Sequence, residues 1–468
     1  MKALKRFVII ALCCFAKSSL EAQDLPQTTY DQDYLPKEFH RSRREALRSA
    51  LPANSIAFIF SNPVRNYGLD NDYRYHQNPD FYYLTGFTEP HSVLVVFSGK
   101  ELIDGIETNE IIFVPGRNAE KEMWNGLRMG QEGVRDLLGI QTVRLTTSFD
   151  SLHLNFNKYA KILYTMPQGV VDDLTEKDDL FDLVNSFKKM SGYPPENGDA
   201  RLLRSILTDL RAIKQQEELT LMRKAIDVSC DGHIEMMKAT NPGMTEYQVQ
   251  ATGEYVFMKS GAENPGYPSI CGSGKNGTVL HYETNRKRFF EGDLILLDMG
   301  AEYHGYTADI TRTFPVSGRF SAEQKILYEM VLRAQEAAFK ECKPGNSFQD
   351  PHKAAVEVIK RGLLDLEIIR NEKDYIKYFA HYTSHYLGLD VHDVGTYGKL
   401  KEGNVITVEP GVYIPEGSPC DPRWWNIGIR IEDDILVTAN GFENLSVKVP
   451  RSVMEIEKMM RQSPSFVK

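Results

Sequence analysis

The sequence predicts a mixed α/β N-terminal domain followed by an α+β domain made of two related halves. Three observations carry this. At 468 residues the chain exceeds one ordinary domain, and a composition of 42% hydrophobic and 25% charged residues can bury large cores. Residues from about 24 to 190 alternate short apolar runs with helical patterns. Beyond residue 200 the order becomes helices, strands, helices, strands, and both strand regions contain one phrase. Glu291-Gly292-Asp293-Leu294-Ile295-Leu296-Leu297-Asp298-Met299-Gly300 aligns without a gap on Glu402-Gly403-Asn404-Val405-Ile406-Thr407-Val408-Glu409-Pro410-Gly411.

Taken in order, residues 1–22 read as an export signal. Lys2, Lys5 and Arg6 precede the apolar run Phe7 to Ala16, and Ala22 offers a cleavage point. The run of about ten residues is too short to span a bilayer, so the expectation is an exported, periplasmic or secreted protein with no stable membrane insertion after cleavage. Cys13 and Cys14 admit a lipoprotein, but Leu12 is a poor match to the small residue such processing prefers. Net charge is -9 and pI near 5.8, which gives no electrostatic reason to expect nucleic acid as partner. The basic run Arg41 to Arg44 reads as a solvated helix face.

Ser55 to Phe60, Ser92 to Phe97 and Ile111 to Val114 read as buried strands of an N-terminal domain, residues 23–195. Ser191 to Gly198, dense in Pro, Gly and Asn, reads as the linker to a second domain, residues 196–468. There, helical tracts are expected at Arg201 to Met237, Ser321 to Lys340 and Ser347 to Leu364. Cys230, Cys271, Cys342 and Cys420 form no CxxC pair, so zinc-knuckle and redox motifs are excluded and free buried thiols are expected.

The repeated phrase carries the chemistry. Each copy's apolar run ends at a carboxylate, Asp298 or Glu409, with a histidine seventeen residues earlier, His281 or His392. A second acid follows in each half, Asp309 and Glu432. Strand alternation places Leu294, Leu296 and Asp298 on one face, and a hairpin would bring Asp309 onto it. By the same parity Arg430, Glu432 and Asp434 share a face. Four carboxylates at the ends of apolar strands are costly to bury unless cations neutralise them, and two divalent ions bridged by carboxylates would do so. His381 to Asp393 holds three histidines, His381, His385 and His392, from which a further ligand can come. Oxygen-rich ligation with one imidazole suits Mn²⁺, with Co²⁺ and Zn²⁺ as competitors.

Residues from about 200 to 450 resemble the pita-bread metallopeptidases, which include methionine aminopeptidase, prolidase and aminopeptidase P. Asp298, Asp309, His385, Glu409 and Glu432 match that family's five ligands in order. His381-Tyr382-Thr383-Ser384-His385, Leu387 to Asp393 and Val408 to Ile414 most resemble aminopeptidase P. Asn78 to Gly86 is similar to its N-terminal signature.

The resemblance implies a pseudo-two-fold pita-bread catalytic domain. It implies bridging by Asp309 and Glu432, with Asp298 completing one ion and His385 with Glu409 the other. A metal-bridging hydroxide would attack, Glu409 would shuttle the proton, and His281, His381 and His392 would line the cleft. Tyr267 and Tyr413 would hydrogen-bond the ligands, and Arg430 would hold Glu432 or its neighbours. The implied substrates are peptides with an Xaa-Pro N-terminus, and the implied assembly is a homodimer or tetramer. Alternatives are prolidase, a non-catalytic pita-bread binding module and a creatinase-like hydrolase; the complete ligand set disfavours the last two. Trp424-Trp425-Asn426 lies where the second copy is longer, either shaping the cleft rim or packing at the surface.

Overall fold

The apolar runs of the N-terminal half form strands because a sheet covered on both faces needs side chains that bury on both sides. In the computed structural model, which describes residues 32–69, 71–172 and 177–465, every residue of β1 (Ser55–Phe60) is buried. The export segment and Cys13 and Cys14 lie outside the described residues. α1 (Lys37–Ala50) precedes β1; β2 (Asn66–Gly68), β3 (Asn71–Asp72) and α2 (Pro79–Thr85) follow. Then come β4 (Val93–Ile103), β5 (Ile106–Val114), α3 (Ala119–Asn125), α4 (Gly130–Leu138), β6 (Val143–Leu145), β7 (Lys161–Thr165) and α5 (Leu180–Ser191).

The sheet order is β6-β5-β4-β1-β7; β1 and β7 are parallel, as are β5 and β6, and β4 runs antiparallel between β1 and β5. Ile56, Phe58 and Phe60 pack into one core, Ala57 and Ile59 into another that continues through the C-terminal domain. One expectation fails on α1. Arg44 is not solvated: it is fully buried, donating to Glu110 Oε2 at 3.1 Å and to the Leu84 carbonyl at 2.8 Å. A guanidinium can be buried where a carboxylate and a carbonyl meet its fork.

Ser191 to Gly198 is not a free linker. The Ile162 amide donates to the Asn197 carbonyl and the Asp199 amide to the Ile162 carbonyl, stitching the segment to β7. Asp199 caps α6 (Ala200–Ala212), which lies beyond the boundary drawn at 195 yet packs on β7 and α1. The tract expected as one helix from Arg201 is two. α6 ends, the Lys214 amide turns to the Gly403 carbonyl at 2.9 Å, and α7 (Gln216–Ala239) starts from a capping box of Gln215 and Glu218.

Each half of the C-terminal domain lays two helices outside a set of strands. The first contains α7, α8 (Glu246–Lys259), β8 (Asn264–Pro265), β9 (Ile270–Ser273), β10 (Leu294–Asp298), β11 (Ala301–Tyr303), β12 (Tyr306–Thr307) and β13 (Thr311–Pro315). The second contains α9 (Ala322–Phe339), α10 (Asp350–Asp365), β14 (Val405–Val408), β15 (Gly411–Ile414), β16 (Ile427–Arg430), β17 (Asp433–Thr438) and β18 (Gly441–Asn444), closed by α11 (Val453–Met459). β10 pairs antiparallel with β13, and β14 with β17, so the repeated phrases play the same part. Gly292 and Gly403, matched in the repeat, share the left-handed turn before these strands, with φ of 90° and 86°. Trp424 is neither rim nor surface: it is 2% exposed, in the core. Cys230, Cys271 and Cys342 are free and buried, and Cys420 is free and half-buried.

Candidate active site

The carboxylates converge because both halves interrupt their strands at the same place. Asp298 ends β10, and Glu409 directly follows β14. Asp309 was expected on a strand; it lies instead in the three-residue break between β12 and β13, its amide donating to Asp434 Oδ2 at 3.1 Å. A Cβ on Gly300 would collide with the Ala308 carbonyl, so glycine there lets this crossing segment pass. Arg430, Glu432 and Asp434 were expected on one strand. The structure breaks it between β16 and β17, with Glu432 in the break and its amide on the Thr311 carbonyl at 3.0 Å. The break frees Glu432 from the ladder and points its Oε2 at Thr311 Oγ1, 2.6 Å away.

His385 is placed by register. Residues 383–387 run beside β14: the Glu409 amide donates to Thr383, Thr407 to His385 and Leu387 to Val405. The imidazole Nδ1 lies 2.9 Å from the Tyr386 carbonyl, which fixes the proton there and leaves Nε2 as a free lone pair. Nε2 lies 3.3 Å from Asp309 Oδ2 and 3.5 Å from Glu409 Oε1. Ligand atoms of Asp309, His385 and Glu432 all lie within 4.8 Å of one another. Tyr267 Oη is 2.7 Å from both Asp298 Oδ1 and Asp309 Oδ1. A phenol has one proton, so it can donate to only one of them at a time.

Four acids therefore face one cation, Arg430. Its Nη2 pairs with Asp298, Nε donates to Thr311 Oγ1 at 3.1 Å, and Nη1 donates to Tyr413 Oη at 2.9 Å. Arg430 was expected to hold Glu432 or its neighbours; it pairs directly with the other half and reaches Glu432 through Thr311. Burial, then the nearby Asp298 charge, pushes the Asp309 carboxyl well above its ordinary value. Glu432 is raised by burial and by Asp309, and Glu409 to about 8 by burial and then Glu432. Carboxylates in this state are short of positive charge, and divalent cations would supply it. The donor set fits them: four carboxylates and one imidazole with its lone pair inward.

Tyr413 Oη donates to His381 Nε2 at 2.9 Å, while His381 Nδ1 donates to the Tyr382 carbonyl. Burial and then Arg430 lower His381 to about 4, so it is neutral. His392 packs edge-on against His385, with ring centroids 4.4 Å apart. Burial, then His385 and His281, lower His392, which places the exposed His281 in its field.

Residues 220–439 match metallopeptidase family M24, and residues 40–164 match the aminopeptidase P N-terminal domain. The Xaa-Pro aminopeptidase of Escherichia coli (strain K12) is 35% identical over 91% of this chain and 97% of its own. The chain belongs to the aminopeptidase P family. Intermediate cleaving peptidase 55 of Arabidopsis thaliana mitochondria is 32% identical over 90% of this chain and 83% of its own. Among solved structures, aminopeptidase PepP of Pseudomonas aeruginosa superposes with a TM-score of 0.82 at 37% identity, covering 92% of this chain and 99% of that one. E. coli aminopeptidase P with the inhibitor Pro-Leu gives 0.82 at 34%, covering 92% and 99%. This chain is thus a metallopeptidase hydrolase with the two-domain aminopeptidase P fold.

Several residues of this aminopeptidase P site escaped sequence reasoning. Thr311 joins Arg430 to Glu432, and Asp434, placed by parity on the face of Glu432, has the unforeseen role of holding the Asp309 backbone. A fully buried Arg312–Asp433 pair, 2.7 Å, with Gln335 Nε2 on Asp433 Oδ2 and on the Ile431 carbonyl, braces the segment around Glu432. The signal was available: Glu432-Asp433-Asp434 sets three acids in an otherwise apolar stretch, and Arg312 supplies a cation on the facing strand.

Proposed function

We propose that this chain is a dinuclear Xaa-Pro aminopeptidase that removes the first residue from peptides with proline second. The observation that carries the reading is the charge deficit: Asp298, Asp309, Glu409 and Glu432 surround one lone pair from His385 and one cation, Arg430. Asp309 and Glu432 would bridge two divalent ions, Asp298 completing one, His385 and Glu409 the other. Mn²⁺ suits this oxygen-rich set, with Co²⁺ or Zn²⁺ as competitors. Bound there, such ions lower the pKa of water and polarise the scissile carbonyl.

The protein's own groups handle the protons. An amide on proline has no N–H, and its nitrogen must gain a proton as it leaves. Glu409, its charge met by the bound cations, would take a proton from the attacking water and return it to that nitrogen. His381 is kept neutral by burial and by Arg430, and is oriented by the Arg430–Tyr413 chain, so it lines the cleft without adding charge. His281 and His392, at the mouth, would orient the substrate and stabilise the developing oxyanion.

The test is hydrolysis of Xaa-Pro-Xaa beside Xaa-Pro and Xaa-Ala-Xaa during metal titration. We expect cleavage of the tripeptide at least as fast as of the dipeptide, and none of the alanine peptide. Cleavage of the dipeptide alone would move the assignment to prolidase. Export, supported by the Lys2-to-Ala22 pattern, predicts a mature N-terminus at Gln23 by mass spectrometry. Assembly as a dimer or tetramer predicts a matching mass by light scattering.

A further inference from the structure

A buried charge cluster at the domain junction stands outside this mechanism. Arg211, at the end of α6, and Lys214, just beyond it, are 3% and 5% exposed. Arg211 Nη1 donates to Asp80 Oδ1 in α2 of the N-terminal domain at 2.7 Å. Its Nη2 donates to Asp390 Oδ2 at 3.0 Å and also to Asp393 Oδ1. Lys214 Nζ donates to Asp393 Oδ2 at 2.8 Å and to the Arg211 carbonyl at 2.7 Å. A Cβ on Gly388 would collide with Asp393 and with the Lys214 ammonium, so the turn is built around this pair.

Asp390 and Asp393 flank His392. The turn between them is closed by the Asp393 amide on the Tyr386 carbonyl at 2.9 Å. The His392 ring makes no hydrogen bond to another described residue, and its position rests on the turn and on its edge contact with His385. Burying a guanidinium and an ammonium costs several kcal/mol each, and the loss is recovered only while their partners stay in place. Such a cluster holds one arrangement and gives way as a unit.

We infer that Arg211 is a positioning residue: by clamping Asp390 and Asp393 to Asp80, it makes the N-terminal domain set where His392 stands. The inference rests on the reading that His392 acts on substrate. Asp80→Asn is the milder test, since it strips the charge from the arm to the N-terminal domain and leaves both turn carboxylates on Arg211; Arg211→Lys is the second variant. Both are made in the full metal-loaded chain and in His392→Ala.

Each single change should lower kcat about tenfold, with KM nearly unchanged and metal content retained. Added to His392→Ala, Asp80→Asn should change kcat by less than about twofold, because the group it positions is gone. In the metal-free protein, the His392 imidazole NMR signal, assigned by its loss in His392→Ala, should shift in Asp80→Asn. Unchanged kcat in both single variants overturns the proposal and leaves the role of His392 standing. So does a tenfold loss that persists in the His392→Ala background. Full activity of His392→Ala alone overturns both.

Discussion

In the first half of the catalytic domain the chain travels from Asp298 to Asp309 in eleven residues, through the short hairpin β11–β12. In the second it takes twenty-three from Glu409 to Glu432, through β15–β16 and the stretch containing Trp424. The strands before and after match, β10 with β14 and β13 with β17, so the halves share a frame. What differs is the attached chemistry. The first half contributes two aspartates, Asp298 at a strand end and Asp309 in a strand break, short side chains that can hold charge but reach little. It also supplies Tyr267 and His281. The second contributes longer glutamates, the three histidines of the 381–392 segment, Tyr413 and Arg430. A duplicated frame supplies symmetric acids, and proton handling is concentrated where one copy has lengthened.

The sharpest way to break that division is to remove each half's acid separately. Glu409→Gln keeps an oxygen ligand but cannot carry the proton, and kcat should fall by about 10³- to 10⁴-fold. Metal analysis at saturating Mn²⁺ should still find bound ions. Asp309→Ala should lose turnover through loss of metal. Two ions at full occupancy in Asp309→Ala, or equal metal loss in both variants, would end the distinction between a charge-holding and a proton-handling half.

Arg430 tests how the halves are joined, because it belongs to the second but pairs with Asp298 of the first. Removing one partner of a buried ion pair costs about 3–5 kcal/mol. Arg430→Met should lower metal-free stability to urea by that order and reduce turnover, since Tyr413 and His381 lose their anchor. Added metal should recover much of the stability, replacing one source of positive charge by another. An Arg430→Met protein of unchanged stability would show that the acids do not depend on this cation.

His281 and His392, the matched pair of the repeat, should differ from these. Neither contacts the acids through a hydrogen bond given by the structure, and each alanine variant should lose about 10- to 100-fold in kcat with metals retained. Loss of metal in either variant would make it a ligand.

These contrasts also show what the chain's letters could reveal. The repeated phrase made the frame legible, since Gly292 and Gly403 need the same backbone and the apolar runs need the same burial. The four acids and His385 were legible because their order repeats or matches a family. Hidden were the places where the ladder stops. Parity suggested that Arg430, Glu432 and Asp434 lie on one continuous strand, yet the chain breaks there so that Glu432 can leave it. Strand parity is local, whereas the break is set by Thr311, Arg312 and Gln335, which arrive from elsewhere in the fold. Arg44 and Arg211 were unreadable for the same reason. Whether an arginine is solvated or clamped depends on carboxylates distant in sequence, Glu110 for one and Asp80, Asp390 and Asp393 for the other.

The smallest effect is also the most direct measure of the charge deficit: the pH dependence of stability without metal. Burial and neighbouring acids raise the Glu409 carboxyl to about 8, and raise Asp309 and Glu432 above the carboxylate range. The folded metal-free chain therefore holds protons that the unfolded chain has released, so stability is full at low pH and is lost as pH rises toward 8. Buried His40, His233 and His381, each lowered to about 4 chiefly by burial, act in the opposite sense, but only below about 6.5, where the unfolded histidine gains its proton. Between pH 6.5 and 8 the carboxyl effect stands clear of them. Glu218, raised by burial to about 7, and His76, raised by Glu302, have the same sign as the site acids. Neither belongs to the metal cleft, so both contribute equally with and without metal. Thermal unfolding at pH 6.5, 7.25 and 8 should show the metal-free chain losing stability while the loaded chain loses less, because cations have displaced those protons. Parallel curves would mean that the first-half and second-half acids are not short of charge, and the basis for placing two cations between them would fail.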